Sequence, residues 1–416
     1  MKKLLLVLLI SILLFMPGCN RSSSKNISLE FWTISLKPTY TDYINQLIQE
    51  FEQSNPGVKI EWIDVPINIM MQKLLASIAG GEPPDIINLN TEYAVLLAQN
   101  GALYSMDRIF PKKAKTEFFP GLWQAARWQG ESYAVPWYVS CQLIMFNRKL
   151  FQQAGLPLKA PKNWRQVEEY SAQIKKATGE YGFMPAMKIT DDWQVEGIPL
   201  IAPDKHKPTF NTFKAVEKLD WYIGLKDKGL IPPETLTQGY QGALDRYQSG
   251  KLGMLIAGPQ FLLKIQKNAP QIYQNTGLGE YPGENTGPVP AATMNLCIPR
   301  ASRKVDLAIK FLTFLTNYQN QLQFCRLVPL LPTRKDVAQD KFFREGKSSS
   351  LEDEAIRISI SQLKRARDLS LGVKDSSRLM RILKEQIEAA FYGKKTSRQA
   401  LDEASKAWEQ ILQEQD

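Results

Sequence analysis

Hydrophobic positions in the first third of the chain alternate between two periods. In "ISLEFWTI" (27–34) Leu29 and Phe31 share one face and Trp32 stands near the end, which predicts a strand. Ile44, Leu47, Ile48 and Phe51 then recur at helical spacing, and Asn55-Pro56-Gly57 supplies the stop. "VKIEWIDV" alternates again through Val58, Ile60 and Trp62. Met71, Leu74, Leu75 and Ile78 predict a second helix, and Asp85 to Leu89 a third, buried strand.

The junction before that third strand has its own punctuation. Gly80-Gly81 ends the helix, because glycine tolerates a left-handed cap, and Pro83-Pro84 keeps the helix from resuming. The β-α-β-α-β order predicts a doubly wound parallel sheet, whose strand ends carry the ligand in open α/β folds. Asn88 to Tyr93 are therefore delivered to a functional edge. At the other end of the chain Thr396 and Gln399 have capping-box spacing. Leu401, Ala404, Trp408 and Ile411 form the apolar stripe of a final helix, expected to pack as core.

Length adds a second domain to this picture, since 416 residues exceed what one core usually organises. With 44% hydrophobic and 10% aromatic residues, disorder is excluded as the class. Lys2 and Lys3 precede an apolar run, Leu4 to Phe15, that is short for a bilayer span and reads as a signal peptide over residues 1–18. "MPGC" (16–19) resembles a bacterial lipobox, which makes Cys19 the expected lipidation site and residues 19–26 a polar tether. The Met and Pro of "MPGC" depart from the commonest form of that motif. The mature protein is expected outside the cytoplasm, in the periplasm or on the outer face of the cytoplasmic membrane, held by lipid.

Charge and the rarer residues exclude several classes. The net charge of +10 falls to +8 once Lys2 and Lys3 are removed (10 − 2), and the remaining basic residues are dispersed, so no nucleic-acid partner is expected. The single histidine, His206, lies in the polar stretch "APDKHKP", which leaves no histidine-based zinc site and no metal or cofactor expectation. Cys141, Cys297 and Cys325 sit in apolar contexts and read as buried, reduced thiols, although one disulfide with a free thiol stays open.

Taken in order, "LEFWT", "FEQSNPGVKIEW", "LLASIAGGEPPDIINL", "YAVPWYVSCQLIMFNRKLFQQAGL" with "PKNWRQVEEYSAQIK", "YQSGKLGMLIAGP", "LVPLLPTRKDV" and "TSRQALDEASKAWEQIL" resemble the bacterial extracellular solute-binding proteins of family 1, the sugar-binding group of ABC importers. The resemblance covers almost the whole mature chain. It implies an α/β, two-lobed periplasmic-binding-protein fold of type II, each lobe a doubly wound, mostly parallel sheet flanked by helices. The chain then crosses between lobes near Ser140, in "YPGENTGPVP" (281–290) and near Val328 to Pro332. The lobes become 27–139 with 291–330, and 140–290 with 331–416. The proline and glycine content of the second crossing independently reads as a hinge.

Binding a sugar takes aromatic planes for its faces and amides, hydroxyls or carboxylates for its edges. Trp32, Ser35, Asn90, Glu92 and Tyr93 lie at predicted strand ends, where Trp32 either faces the cleft or packs beneath a loop. Trp137, Tyr138 and Ser140 flank the first crossing, and Trp193 follows Asp191-Asp192 in the second lobe. Gln260 follows the Gly-Pro turn where relatives carry a tryptophan. Ala291-Ala292 replace a glycine pair of relatives and leave Met294 and Asn295 either at the cleft or packed in their strand.

This candidate set is mostly neutral and aromatic. It points to a receptor that closes on a neutral mono-, di- or oligosaccharide or glycosidic osmolyte and delivers it, as a monomer, to the permease of an ABC importer. On this reading Trp137→Ala removes most of the affinity and leaves the melting temperature of the free protein nearly unchanged. An exported hydrolase using Glu92, Asp191 or Asp192 is the alternative, but the two adjacent aspartates point apart and lack the spacing of a catalytic pair. A receptor for a non-sugar solute is the other.

Overall fold

The predicted strands and helices of the N-terminal third form where the periodicity places them. β1 (Ile27–Ile34) and β2 (Val58–Val65) flank the helix Thr41–Ser54, which buries Tyr43, Ile44, Leu47 and Phe51. The helix Ile67–Ala79 turns Met70 and Leu74 inward and leaves Leu75 54% exposed, so its buried stripe is rotated from the expected one. That helix is apolar almost all round, and its periodicity alone selects no face. Gly81 takes the left-handed conformation (φ +77°) that releases the chain towards β3 (Ile86–Asn90). Asp85 pins the start of β3: its buried carboxylate accepts from the Glu30 N–H, the Ser302 hydroxyl and the Lys304 ammonium.

The computed structural model describes residues 27–185, 189–202, 206–283, 287–327, 329–345 and 350–414. The expected signal peptide, the Cys19 lipidation site, the tether to residue 26, residues 284–286 of the second crossing and Val328 lie outside the described residues. No helix among the described residues is long and apolar enough to cross a membrane.

Further strands complete two main sheets. β4 (Arg127–Trp128) and β5 (Glu131–Ser132) form a separate hairpin. β6 (Val135–Cys141), β11 (Val289–Cys297) and β12 (Leu331–Pro332) extend the first sheet to the order β12-β6-β11-β3-β1-β2, with β13 (Ala366–Asp368) paired to the start of β11. β7 (Leu143–Asn147), β8 (Tyr181–Phe183), β9 (Leu252–Ala257) and β10 (Thr276–Gly279) make the second sheet, ordered β10-β7-β9-β8. Two apolar clusters pack on the first sheet and one on the second, and the largest runs from Val139, Val289 and Leu331 of the first sheet to Ile144, Phe146 and Met254 of the second.

Both sheets are more mixed than the expected mostly parallel arrangement. β1 is parallel to β2 and β3, and β8 to β9, but β11 runs antiparallel to β3 and β6, and β7 antiparallel to β9 and β10. The connections explain this. β6 runs out of the first sheet and, after Gln142 alone, continues as β7 in the second. β11 re-enters the first sheet from that same edge and so opposes both β3 and β6.

Three segments lie side by side at this passage. Gln142 donates its N–H to the Pro290 carbonyl (2.9 Å), and Val289–Ala291 pairs with Ala366–Asp368. The third segment is thus β13. Leu331–Pro332, expected at a crossing, instead edges the first sheet against Val139 and Tyr138.

The final helix, Ser397–Gln413, carries the expected reciprocal cap of Thr396 and Gln399 and buries Leu401, Ala404, Trp408 and Ile411. Trp408 also donates to the Leu379 carbonyl (2.8 Å). Cys141, Cys297 and Cys325 are free, buried thiols, and burial pushes the Cys141 thiol up to about 12.

Candidate ligand-binding cleft

A groove of about 660 Å³ opens along the edge where the chain passes between the two sheets. From the first sheet it receives the end of β3 (Asn90) with Thr91 and Glu92, Ser140 at the end of β6, and Pro290 to Met294 on β11. Gln194, Tyr240, Ile256 to Gly258, Gln260 and Phe261 face them from the second. Asp368 to Leu371, Ser376, Ser377 and Met380 close one side.

Neutral donors hold the polar groups in place. Asn90 caps the helix Thr91–Gln99 by accepting from the Tyr93 N–H (2.8 Å). The Thr91 hydroxyl donates to Asp368 (2.6 Å), which also accepts from the Thr293 N–H and from the Ser370 N–H and hydroxyl. Glu92 accepts from Ser376 (3.2 Å) and Ser377 (2.7 Å), a contact between the first sheet's edge and the start of the helix Ser376–Phe391.

Ser140 donates to the Gln260 amide oxygen (2.7 Å) and ties β6 to the turn after β9. A Cβ on Gly258 would stand 2.6 Å from the Ser140 hydroxyl and 2.4 Å from that amide oxygen, so any larger residue there displaces the Ser140–Gln260 pair.

Among the described residues, two hydroxyls at the groove are buried without a partner. They are Thr293 Oγ1 from the first sheet and the Tyr240 hydroxyl from the second side. An unpaired buried hydroxyl costs free energy that a ligand's hydrogen bond returns. Tyr240 also packs on Phe261 (ring centroids 4.8 Å apart), giving the groove an aromatic wall.

Glu92, Asp191, Asp192 and Asp368 line the groove, and the described lining residues include no Lys, Arg or His. Asp192 is buried and accepts from the Tyr222 and Tyr281 hydroxyls. Burial raises its pKa to about 7, against the lowering effect of those two hydrogen bonds and the nearby Lys218.

Of the residues expected at the ligand, Asn90, Glu92, Ser140, Gln260 and Met294 meet in this groove. The others do not. Trp137 is 1% exposed, stacked on Phe324 (5.4 Å, 15°) and packed against Phe31 and Tyr138. Every residue of β6 is buried, because the strand is covered on both faces, so Trp137 and Tyr138 are both interior.

Trp193 is fully buried in the second core. Trp32 packs in the first, its indole N–H bonded to Glu30 and its ring beneath the Lys73 ammonium. Tyr93 packs on that same cluster. Ser35 is exposed with φ +52°, away from the groove. Asn295 is buried and donates to Thr91 beneath the surface, whereas Met294, its neighbour, reaches the groove.

Sequence reasoning delivered Thr91 to this edge without singling it out, and missed Thr293, Tyr240, Phe261, Asp368, Ser376 and Ser377. Phe261 directly follows Gln260 and was within reach of the same turn argument. The 368–377 segment carries no local signal, since its place depends on β13 joining β11.

With this geometry in hand, comparison with known proteins adds a family context. A family model described as bacterial extracellular solute-binding protein matches residues 37–322. A periplasmic-binding protein from Synechococcus sp. MITs9220 is 30% identical, with a TM-score of 0.84 over 93% of this chain and 99% of that one. The mannitol-binding protein of Pseudomonas aeruginosa is 26% identical over 292 residues, 66% of each chain. The sugar-binding protein MalE of Xanthomonas citri, 23% identical, shares the fold with a TM-score of 0.77 over 93% of this chain and 98% of that one.

Proposed function

The chain belongs to the bacterial extracellular solute-binding protein family, and from that premise we propose that it is the exported receptor of an ABC importer, closing on a neutral saccharide or polyol and presenting it to a permease. The observation that carries this reading is the groove itself. Its unpartnered hydroxyls come from both sides, so a single polyhydroxylated guest satisfies Thr293 and Tyr240 only when the two sides are together. Ligand binding thereby favours the closed arrangement.

Charge supports the neutral ligand. Carboxylates accept pairs of sugar hydroxyls well, and a phosphate or carboxylate ligand meets like charge with no base among the described lining residues to offset it. The abundance of neutral donors already on Glu92 and Asp368 shows how hydroxyl groups serve these carboxylates. No bond-making step is part of this reading.

The lobes proposed keep the expected division, 27–139 with 291–330 and 140–290 with 331–416, except that Leu331–Pro332 stays with the first sheet, and they hinge where Gln142, Pro290 and β13 run together. Lipid on Cys19 tethers the monomeric receptor near its permease. A thermal-shift panel of the purified protein tests the ligand class. A neutral sugar or polyol at a hundredfold excess over its Kd adds about 2.7 kcal/mol and raises Tm. Stabilisation by sugar phosphates alone refutes the reading.

A further inference from the structure

A second groove, of about 410 Å³, lies at the far end of the helix whose start carries Glu92. Its walls are Ala98, Gln99 and Gly101 at that helix end, Trp128, Gln129 and Tyr133 of the hairpin segment, and Lys374. The Gln99 carboxamide is the notable group, because both its oxygen and its nitrogen are buried with no hydrogen-bond partner. An amide in that condition forfeits both a donor and an acceptor interaction.

The surroundings supply the rest of a saccharide's needs. Trp128 and Tyr133, half-buried against the core of the first sheet, line the groove with aromatic rings that each carry a polar edge, and Gln129 adds a further amide. The hairpin is fixed in advance of any ligand. Asp107 accepts from the Ser132 N–H (2.8 Å), Arg108 pairs with Glu131 (2.7 Å), and Gln129 and Gly130 form the turn with φ of +44° and +85°.

Position relates this groove to the main cleft. Glu92 and Gln99 are seven residues apart on one helix, about 10 Å along its axis. Lys374, which lines the second groove, stands two residues before Ser376, which donates to Glu92 in the first. The same loop and the same helix therefore border both grooves.

We propose that the groove of Gln99, Trp128 and Tyr133 is a second saccharide subsite that holds the distal units of an oligosaccharide whose first units fill the main cleft. The inference rests on the receptor reading above and adds the length of the ligand. Gln99 takes a hydroxyl pair as donor and acceptor at once, and the indole and phenol rings cover the pyranose faces.

Calorimetric titration of the full protein with maltose through maltohexaose and cellobiose through cellohexaose tests it. In the series that binds, affinity rises with chain length. Trp128→Ala and Gln99→Ala lower affinity for the longest member at least tenfold and leave that for the disaccharide within twofold. Gln129→Gly, placed at a turn position that favours glycine, removes an amide without straining the fold and gives the same length-dependent loss. Equal affinity at every length in the unmodified protein, or an equal effect of the variants at every length, overturns the subsite while the receptor reading stands. Absence of binding by both series at all lengths overturns the saccharide reading and the subsite with it.

Discussion

Replacing Trp137 by alanine separates the sequence-based expectation from the structural one. The indole is 1% exposed and touches Phe31, Tyr138 and Phe324, with the last ring stacked at 5.4 Å and 15°. Truncating such a side chain leaves a cavity in the first core and costs about 3–5 kcal/mol. At about 2–4 °C of Tm per kcal/mol for a lobe-sized cooperative unit, that is a fall of roughly 6–20 °C in the ligand-free transition of the lobe that holds Trp137. The Trp137 carbonyl keeps its bond from Gln321, so the loss comes from packing alone. Thermal melting by circular dichroism, without ligand, reads it directly. A Tm within about 2 °C of the parent, joined to lost sugar affinity, would return Trp137 to the ligand and refute its assignment to the core.

Two other perturbations probe the cleft. Asp192 keeps its proton to about pH 7 in the folded protein while an unfolded aspartate releases it near 3.8, so its contribution to stability falls as pH rises through that window. Asp192→Asn is expected to flatten the decline of Tm between pH 4 and 7.5, and an unchanged profile counts against the buried-acid assignment. Gly258→Ala places a methyl group against the Ser140–Gln260 bond, and calorimetry is expected to show at least tenfold weaker sugar binding with little change in the far-UV spectrum. Parent-like affinity would mean that this bond does not shape the site.

Much of the scaffold was legible because it rests on local rules. The β1-to-β3 order, the glycine release at Gly81 and the capping box at Thr396 follow from spacing and backbone chemistry that neighbouring residues settle among themselves. Of the expected residues, Asn90 and Glu92 line the groove by the strand-end argument, and Ser140, Gln260 and Met294 line it at the positions that the family resemblance singles out.

The failures have one physical origin. Trp137 and Trp193 are expected at the ligand, and Trp32 either there or beneath a loop, because sugars need aromatic planes, yet large rings are equally the anchors of a core. Whether a strand is covered on one face or both is a tertiary fact, and for β6 both faces are covered. Tyr240 and the 368–377 segment reach the groove only through contacts distant in sequence, such as β13 on β11. The antiparallel pairing of β11 likewise follows from where the chain re-enters the first sheet, which no local pattern records.

Central to the account is one ligand touching both sides of the groove at hydroxyls that the protein itself leaves unpaired. Thr293→Val and Tyr240→Phe remove those hydroxyls, one from each side, without disturbing any protein hydrogen bond. Calorimetric titration with the sugar that stabilises the parent protein is expected to give one site per chain, with affinity falling about 2–13-fold in each variant, the equivalent of about 0.5–1.5 kcal/mol per bond. Unchanged affinity in either variant would contradict the account.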